Sequence, residues 1–246
     1  MNERLREAIL WYALESQGEW QQIALRIKNK APVQRIRYPG SFVTIVDPEY
    51  PSCFRQLRYP PWILFYEGDF SYLQKRGIAI IGSRNCTSSA LNNTKIITDR
   101  LKKRYVIVSG LAKGIDSMAH RCSLDQKTIG FIGCGLDTIY PKENAFLYQE
   151  MSRRHLILSE YPMHTKPLAH HFPWRNRLIA ASCDALIVIQ AKCKSGTMHT
   201  VNECLELSKP VYCVPSAFED KEHTGCNWLI QNGAYIIVEE SDLDEL

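Results

Sequence analysis

The sequence predicts an α/β protein built on a mostly parallel sheet with helices on both faces. Short apolar runs recur from residue 77 onward, and stretches of helical length separate most of them. The runs are continuously apolar rather than alternating, which is the mark of strands buried on both faces. Each of the first five runs opens into a loop carrying polar or basic residues. Sheets of this kind bind ligands beyond the carboxyl ends of their strands, so those loops are where function is expected.

Taken in order, residues 1–40 form a short helical appendage. Leu5, Ile9, Tyr12 and Ala13 recur at helical spacing, as do Trp20, Ile23, Ala24 and Ile27. Pro32 and the "YPGS" stretch break the pattern. Two short strands follow, Phe42 to Val46 and Ile63 to Tyr66, around a proline-rich turn. The later strands are Ile78–Ile81, Val106–Ser109, Thr128–Ile132, Leu156–Ser159, Ala185–Ile189, Val211–Val214 and Tyr235–Val238. Residues 41–240 are thus one α/β domain, and 241–246 an acidic tail.

Composition sets the outer limits. A chain of 246 residues buries a sizeable core without staples. The 45 % hydrophobic and 23 % charged content is that of an ordinary globular protein. The net charge of +4 permits a nucleic-acid partner without demanding one. Nine cysteines include no CxxC pair, and most lie in apolar runs. They read as reduced, buried small hydrophobes rather than a disulfide framework or a zinc ribbon. The N-terminus lacks the apolar stretch of a signal peptide, and no run of about 18 apolar residues occurs, so a cytoplasmic protein is expected.

The loops carry three candidate anion sites. After the first parallel strand comes "GSRN": Gly82 frees a tight turn, Ser83 and Asn85 offer hydrogen bonds, and Arg84 adds a permanent charge. A dinucleotide fold would place further glycines just after, and none is present. Arg84 therefore suits either a phosphate on an open surface or a local ion pair. "SGLAKGID" adds Lys113 at the next strand end, and "KSGT" adds Lys194, Ser195, Gly196 and Thr197 where a helix begins. "HHFPWRNR" sets Arg175, Asn176 and Arg177 beside Phe172 and Trp174. Basic residues interleaved with aromatics suit single-stranded nucleic acid. One of the two arginines is expected to be structural, bridging strand-end carbonyls.

No catalytic constellation assembles. There is no GxSxG elbow and no Walker lysine. Asp116, Asp137, Glu160 and Glu203 fit capping and loop-tying roles better than catalysis. His170–His171 has no acid or cysteine at a useful spacing, so no metal is expected.

At this point the motifs match a known family. "DPEYP…PPWILFYEGD", "IAIIGSRN", "IVSGLAKGIDSMAH", "GCGLDTIYPKEN", "LILSEYP", "HFPWRNRLIAASCDALIVIQA", "KSGT" and "GCNWLIQNGA" resemble the DNA-processing protein A (Smf) family, in its order, over about residues 45–238. The resemblance implies an extended Rossmann-like domain that binds single-stranded DNA, forms a homodimer, and hands the strand to the RecA recombinase in transformation. It implies no catalysis and no cofactor. The family's DNA-contacting arginine falls on Arg84, its "RNR" on Arg175–Arg177, its aromatic on Phe172 and its basic–Ser–Gly loop on Lys194–Gly196. Where members often carry a lysine before that aromatic, this chain has Ala169, with Lys166 or His170 as substitutes. The acid common after the fifth strand is Gln190 here. No winged-helix segment is expected after residue 246, and the N-terminal part reads as too short for a helix–hairpin–helix module.

A rival of another class uses a similar layout. "RNR…CDALIVIQAKCKSGTMHTVNE" resembles the phosphoribohydrolases of nucleoside monophosphates, which carry PGGxGTxxE with the glutamate acting at the ribose. Here Glu203 stands seven residues after Gly196, and the double glycine is absent.

Overall fold

The computed structural model describes residues 2–244 and 246. Two helices open the chain, α1 (Asn2–Glu15) and α2 (Trp20–Lys28). The turn between them holds Gln17 and Gly18 at positive φ. Helix ends at Lys28 rather than near residue 40, and residues 31–38 run as extended coil toward β1. Pro32 lacks the N–H a helix needs, and Lys30 sits at positive φ.

All nine expected strands form. β1 (Ser41–Thr44) is followed by the short α3 (Ser52–Arg55), β2 (Ile63–Gly68) and β3 (Gly77–Ile81). Helix and strand then alternate: α4 (Ser88–Leu101), β4 (Val106–Ser109), α5 (Ile115–Cys122), β5 (Thr128–Phe131), α6 (Ala145–Arg154) and β6 (Leu156–Ser159). The last elements are α7 (His171–Ala181), β7 (Ala185–Val188), α8 (Gly196–Glu206), β8 (Val211–Cys213), α9 (Gly225–Gln231) and β9 (Tyr235–Ile236). Ile45, Val46, Ile132, Ile189, Val214, Ile237 and Val238 fall just beyond the strands expected to contain them, which end one or two residues earlier.

The sheet runs β1-β2-β6-β5-β4-β3-β7-β8-β9. From β6 to β9 every pairing is parallel; β2 meets both β1 and β6 antiparallel. The continuous apolar runs are explained by what covers each face. On one face Ala79, Ile81, Val108, Phe131, Leu158 and Val188 pack under α3, α7, α8 and α9. On the other, Ile78, Ile80, Ile107 and Ile187 pack under α4 and α5. Ile63, Phe65 and Ile157 pack under α1, α2 and α6. The N-terminal helices therefore share the core, with Ile9, Ala13 and Ile23 buried in it. Leu243 of the acidic C-terminal segment is buried too, beside Ile97 and Leu101 of α4.

All nine cysteines are free thiols, five of them buried. Among the described residues no helix is long and apolar enough to cross a membrane.

The buried His120 on α5 makes the fold acid-sensitive. Thr128 Oγ1 donates to the Ile107 carbonyl at 2.7 Å, so the same oxygen must accept from His120 Nδ1 at 2.6 Å. Nε2 is then the bare nitrogen, buried without a partner. Burial pushes the His120 imidazole from 6.5 down to about 3, with His155 and Arg175 adding to it. The unfolded chain takes up this proton below about pH 6.5 and the folded chain does not until about 3, so the group's stabilisation falls as pH drops through that window. The limiting slope is roughly 1.4 kcal/mol per pH unit, about 2 kcal/mol between pH 6.5 and 5. His120→Asn keeps a donor for Thr128 and removes the titration. Denaturant melts across that range are expected to show a shallower loss than the parent.

Candidate functional site

The loops after β3, β5 and β7 meet the amino ends of α7 and α8 around a cleft of about 590 Å³ beyond the carboxyl edge of the sheet. The loop after β4 completes its floor.

Close packing fixes the "GSRN" loop. A Cβ on Gly82 would stand 2.7 Å from Ile115 Cγ1, so only glycine lets the loop lie on α5. Gly114 has φ +75°, and a side chain there would strike the Ser83 carbonyl. Ser83 N donates to the Gln190 carbonyl at 2.8 Å, while its hydroxyl donates to the Asn85 carbonyl at 2.8 Å. The Gln190 side chain accepts from Thr87 N and donates to Thr87 Oγ1 and Asp220. A carboxylate at that position has no proton for the last two. These contacts leave Arg84 exposed at the mouth of the cleft.

Phe172 faces Arg84. The Arg84 guanidinium carbon is 5.6 Å from the Phe172 ring centroid, and Tyr140 lies against the same ring at 5.4 Å. Phe172 is half-buried and belongs to none of the three core clusters. Behind it α7 is buried nearly all round, a helix enclosed rather than amphipathic. Residues two apart on a helix point to nearly opposite sides, so Arg175 and Arg177 go to different places.

Arg175 turns under the cleft. It donates to the carbonyls of Gly110, at 2.7 Å, and Phe131, the ends of β4 and β5. Its Nε donates to Asn176 Oδ1 at 3.2 Å. Burial pushes its guanidinium down to about 10, opposed by Asp116, with Arg84 pushing the same way as burial. Burial raises the Asp116 carboxyl, against the pull of Arg175 and the backbone N–H groups of Ala112 and Gly110. Two guanidinium groups thus share the cleft with one buried acid, an arrangement that favours an incoming anion.

Arg177 leaves the cleft. Its two terminal nitrogens each meet a Glu160 oxygen, at 2.5 and 2.6 Å, and it donates to the Tyr59 and Trp174 carbonyls. Both side chains are only 4 % exposed. Of the two arginines, the expectation of one structural residue therefore understates the burial: both are held by the protein, and Arg175 alone still borders the cleft.

The third loop contributes part of the cleft wall. Ser195, Gly196 and Thr197 line the cleft where α8 begins, and Asn176 Nδ2 donates to the Gly196 carbonyl at 3.3 Å. Lys194 is exposed but does not line the cleft; Lys192 does, paired with Glu222. Lys113 is paired with Glu143 on the surface. Lys166 is exposed next to Pro167, which together with Ala169 forms part of the wall. Tyr140, Lys192 and His199 are lining residues that the motifs did not single out. Tyr140 is the aromatic of the "GCGLDTIYPKEN" loop, and Lys192 stands two residues before Lys194 in the fifth-strand loop.

The acids take structural roles. Asp137 accepts from His164 N at 2.8 Å, and Glu160 holds Arg177. Glu203 is half-buried on α8, away from the lining of the cleft. The histidine pair does have an acid beside it, supplied from far away in the chain. Glu19 Oε1 lies 3.0 Å from His170 Nε2 and 3.2 Å from His171 Nε2.

Fold and site together define a Rossmann-like protein with an open, arginine- and aromatic-lined cleft at the carboxyl edge of its sheet. The family described as DNA recombination-mediator protein A matches residues 41–246, and the chain belongs to it. It is 39 % identical to the DNA processing protein DprA of Streptococcus pneumoniae over 202 residues, covering 81 % of this chain and 72 % of that one. With DprA of Bacillus subtilis it shares 41 % over 207 residues, 82 % of this chain and 70 % of the relative. Among solved structures, that of S. pneumoniae DprA superposes with a TM-score of 0.84 at 30 % identity, covering 100 % of this chain and 97 % of that one. The Helicobacter pylori DNA processing protein A, described for its single-stranded DNA binding mode, gives 0.77 at 33 % identity, covering 85 % and 97 %.

Proposed function

We propose that the chain binds single-stranded DNA across this cleft in the cytoplasm and passes the strand to a RecA-type recombinase. The observation that carries the reading is the pairing of exposed Arg84 with half-buried Phe172 at the mouth of a wide cleft. Phosphates take the guanidinium and bases stack on the ring. Asn85, Lys113, Lys166 and Lys194 flank that path, and Ser83, Ser195, Gly196 and Thr197 offer polar groups along it. The solved H. pylori relative, described as binding single strands, supports the same ligand. Among the described residues the cleft is lined by loops and helix ends rather than by a projecting helix or ribbon, which favours single strands with little sequence dependence. Anisotropy titrations with a labelled oligothymidine, competed by duplex, test this. Equal or tighter duplex binding overturns it.

A binding role fits better than phosphoribohydrolase chemistry. Among the described residues the cleft's only lining acid is Asp116, which is buried and committed to Gly110 N at 3.2 Å. Nucleoside monophosphates incubated with the protein are expected to release no free base.

The assembled form we infer is a homodimer. Tyr235, Ile236 and Val238 are exposed on and just after β9, at the end of the sheet, and Trp228 of α9 is exposed as well. Light scattering giving the monomer mass at every dilution overturns it.

Gly196 offers a test of contact without steric cost. A Cβ there meets nothing within 4 Å, so Gly196→Ala is expected to melt no lower than the parent. If the strand's backbone passes over the start of α8, the added methyl weakens oligothymidine binding several-fold, read in the same titration.

A further inference from the structure

We propose that Glu19, His170 and His171 form a site for a divalent cation of the zinc class, joining the N-terminal helix pair to the amino end of α7. This inference does not rest on the DNA-binding reading.

The three ligand atoms lie within 4.8 Å of one another. A four-coordinate ion held at about 2.0–2.1 Å separates its ligand atoms by roughly 3.3 Å. The two Glu19–histidine separations, 3.0 and 3.2 Å, already approach that spacing.

The tautomer of His171 is the stronger argument. Its Nδ1 lies 3.0 Å from the Gly133 carbonyl oxygen, which can only accept, so Nδ1 carries the proton. In the neutral ring Nε2 is then a bare lone pair, and it faces a carboxylate oxygen. Two acceptors at 3.2 Å need a cation or a proton between them. A backbone carbonyl holding the remote ring nitrogen is also the usual support of a metal-bound histidine.

The ligands are positioned in advance. His171 is buried and stacked on Tyr161, with ring centroids 3.8 Å apart. Gly18 packs so tightly on this region that a Cβ would stand 2.7 Å from the Glu160 carbonyl, which holds the neighbouring Glu19 over α7. The donor set is two imidazoles and a carboxylate, which suits zinc or another borderline divalent ion and leaves a position for water. With Phe172 next in sequence, a bound ion would anchor the segment that carries the aromatic.

The test uses the full chain, stripped with a chelator and titrated with Zn²⁺ by calorimetry and with Co²⁺ by absorption. One equivalent per chain is expected, with visible cobalt bands and no thiolate charge-transfer band. Glu19→Gln and His170→Ala are each expected to weaken binding at least about tenfold. The His170 side chain is 63 % exposed, so its loss leaves the metal-free melting temperature unchanged. Absence of stoichiometric binding overturns the site. So does retention of binding in both variants, or a thiolate band showing that cysteines hold the ion.

Discussion

Arg177→Ala is expected to destabilise the protein by about 3–5 kcal/mol, the cost of breaking a buried ion pair from one side. Glu160 would be left buried without its partner, because Arg177 supplies both close contacts to its carboxylate. Further losses come from the Tyr59 and Trp174 carbonyls and from the guanidinium stacked 4.1 Å from the Trp174 ring. At roughly 2–4 °C per kcal/mol for a chain of this size, the melting temperature falls by about 6–20 °C. Replacing both partners with apolar residues, Arg177→Met with Glu160→Leu, is expected to cost less than the single change, since no charge is stranded. Oligothymidine affinity per folded molecule stays at the parent value, because Arg177 does not line the cleft. Thermal melts of the three proteins, followed by titration below the transition, decide the matter. A single variant as stable as the parent removes the structural role. One that stays folded but loses affinity returns Arg177 to the binding site.

Arg84→Ala and Phe172→Ala are expected to weaken single-strand binding by different physics. Removing Arg84 deletes one phosphate contact, so binding weakens at low salt and the slope of log K against log salt becomes shallower by roughly 0.7. Removing Phe172 costs roughly 1–3 kcal/mol of stacking and leaves the slope unchanged. Because Phe172 lies outside the core clusters, its truncation is expected to shift the melting temperature only a few degrees. An Arg84→Ala protein that binds like the parent across the salt series places the strand elsewhere.

The sequence reveals the sheet because burial on both faces leaves a run such as Ile78–Ile81 uniformly apolar, and only a covered central strand has that requirement. The antiparallel β2 is legible as a strand but not in its direction, which is set by its distant partner β6. For the site, glycines and arginines were legible as types and not as orientations. Arg84 and Arg177 both follow motif logic, yet one ends in solvent and the other in a carboxylate clamp. What decides is the enclosure of α7, a property of everything packed around it. Glu19 and the histidines are some 150 residues apart, so no local spacing announces them. Of the strand-end acids, Asp137 ties its loop to that of His164, whereas Glu160 clamps Arg177 of α7.

The interior position of β3, between β4 and β7, has a consequence for how the chain is made. Its two neighbours are β4, which follows within about thirty residues, and β7, whose first paired residue, Ala185, lies about a hundred residues beyond Ile78. As the polypeptide emerges from the ribosome, the half-sheet from β3 to β6 can assemble while β7, β8 and β9 are still unmade. Throughout that interval β3 presents an open hydrogen-bonding edge, bordered by Ile78, Ile80 and Ile81, that any other strand could occupy. The long wait for β7 raises the contact order of the fold and slows its completion. A nascent or truncated chain stopped short of residue 185 is thus the species most prone to aggregate, and the arrival of β7 is the event that ends that exposure.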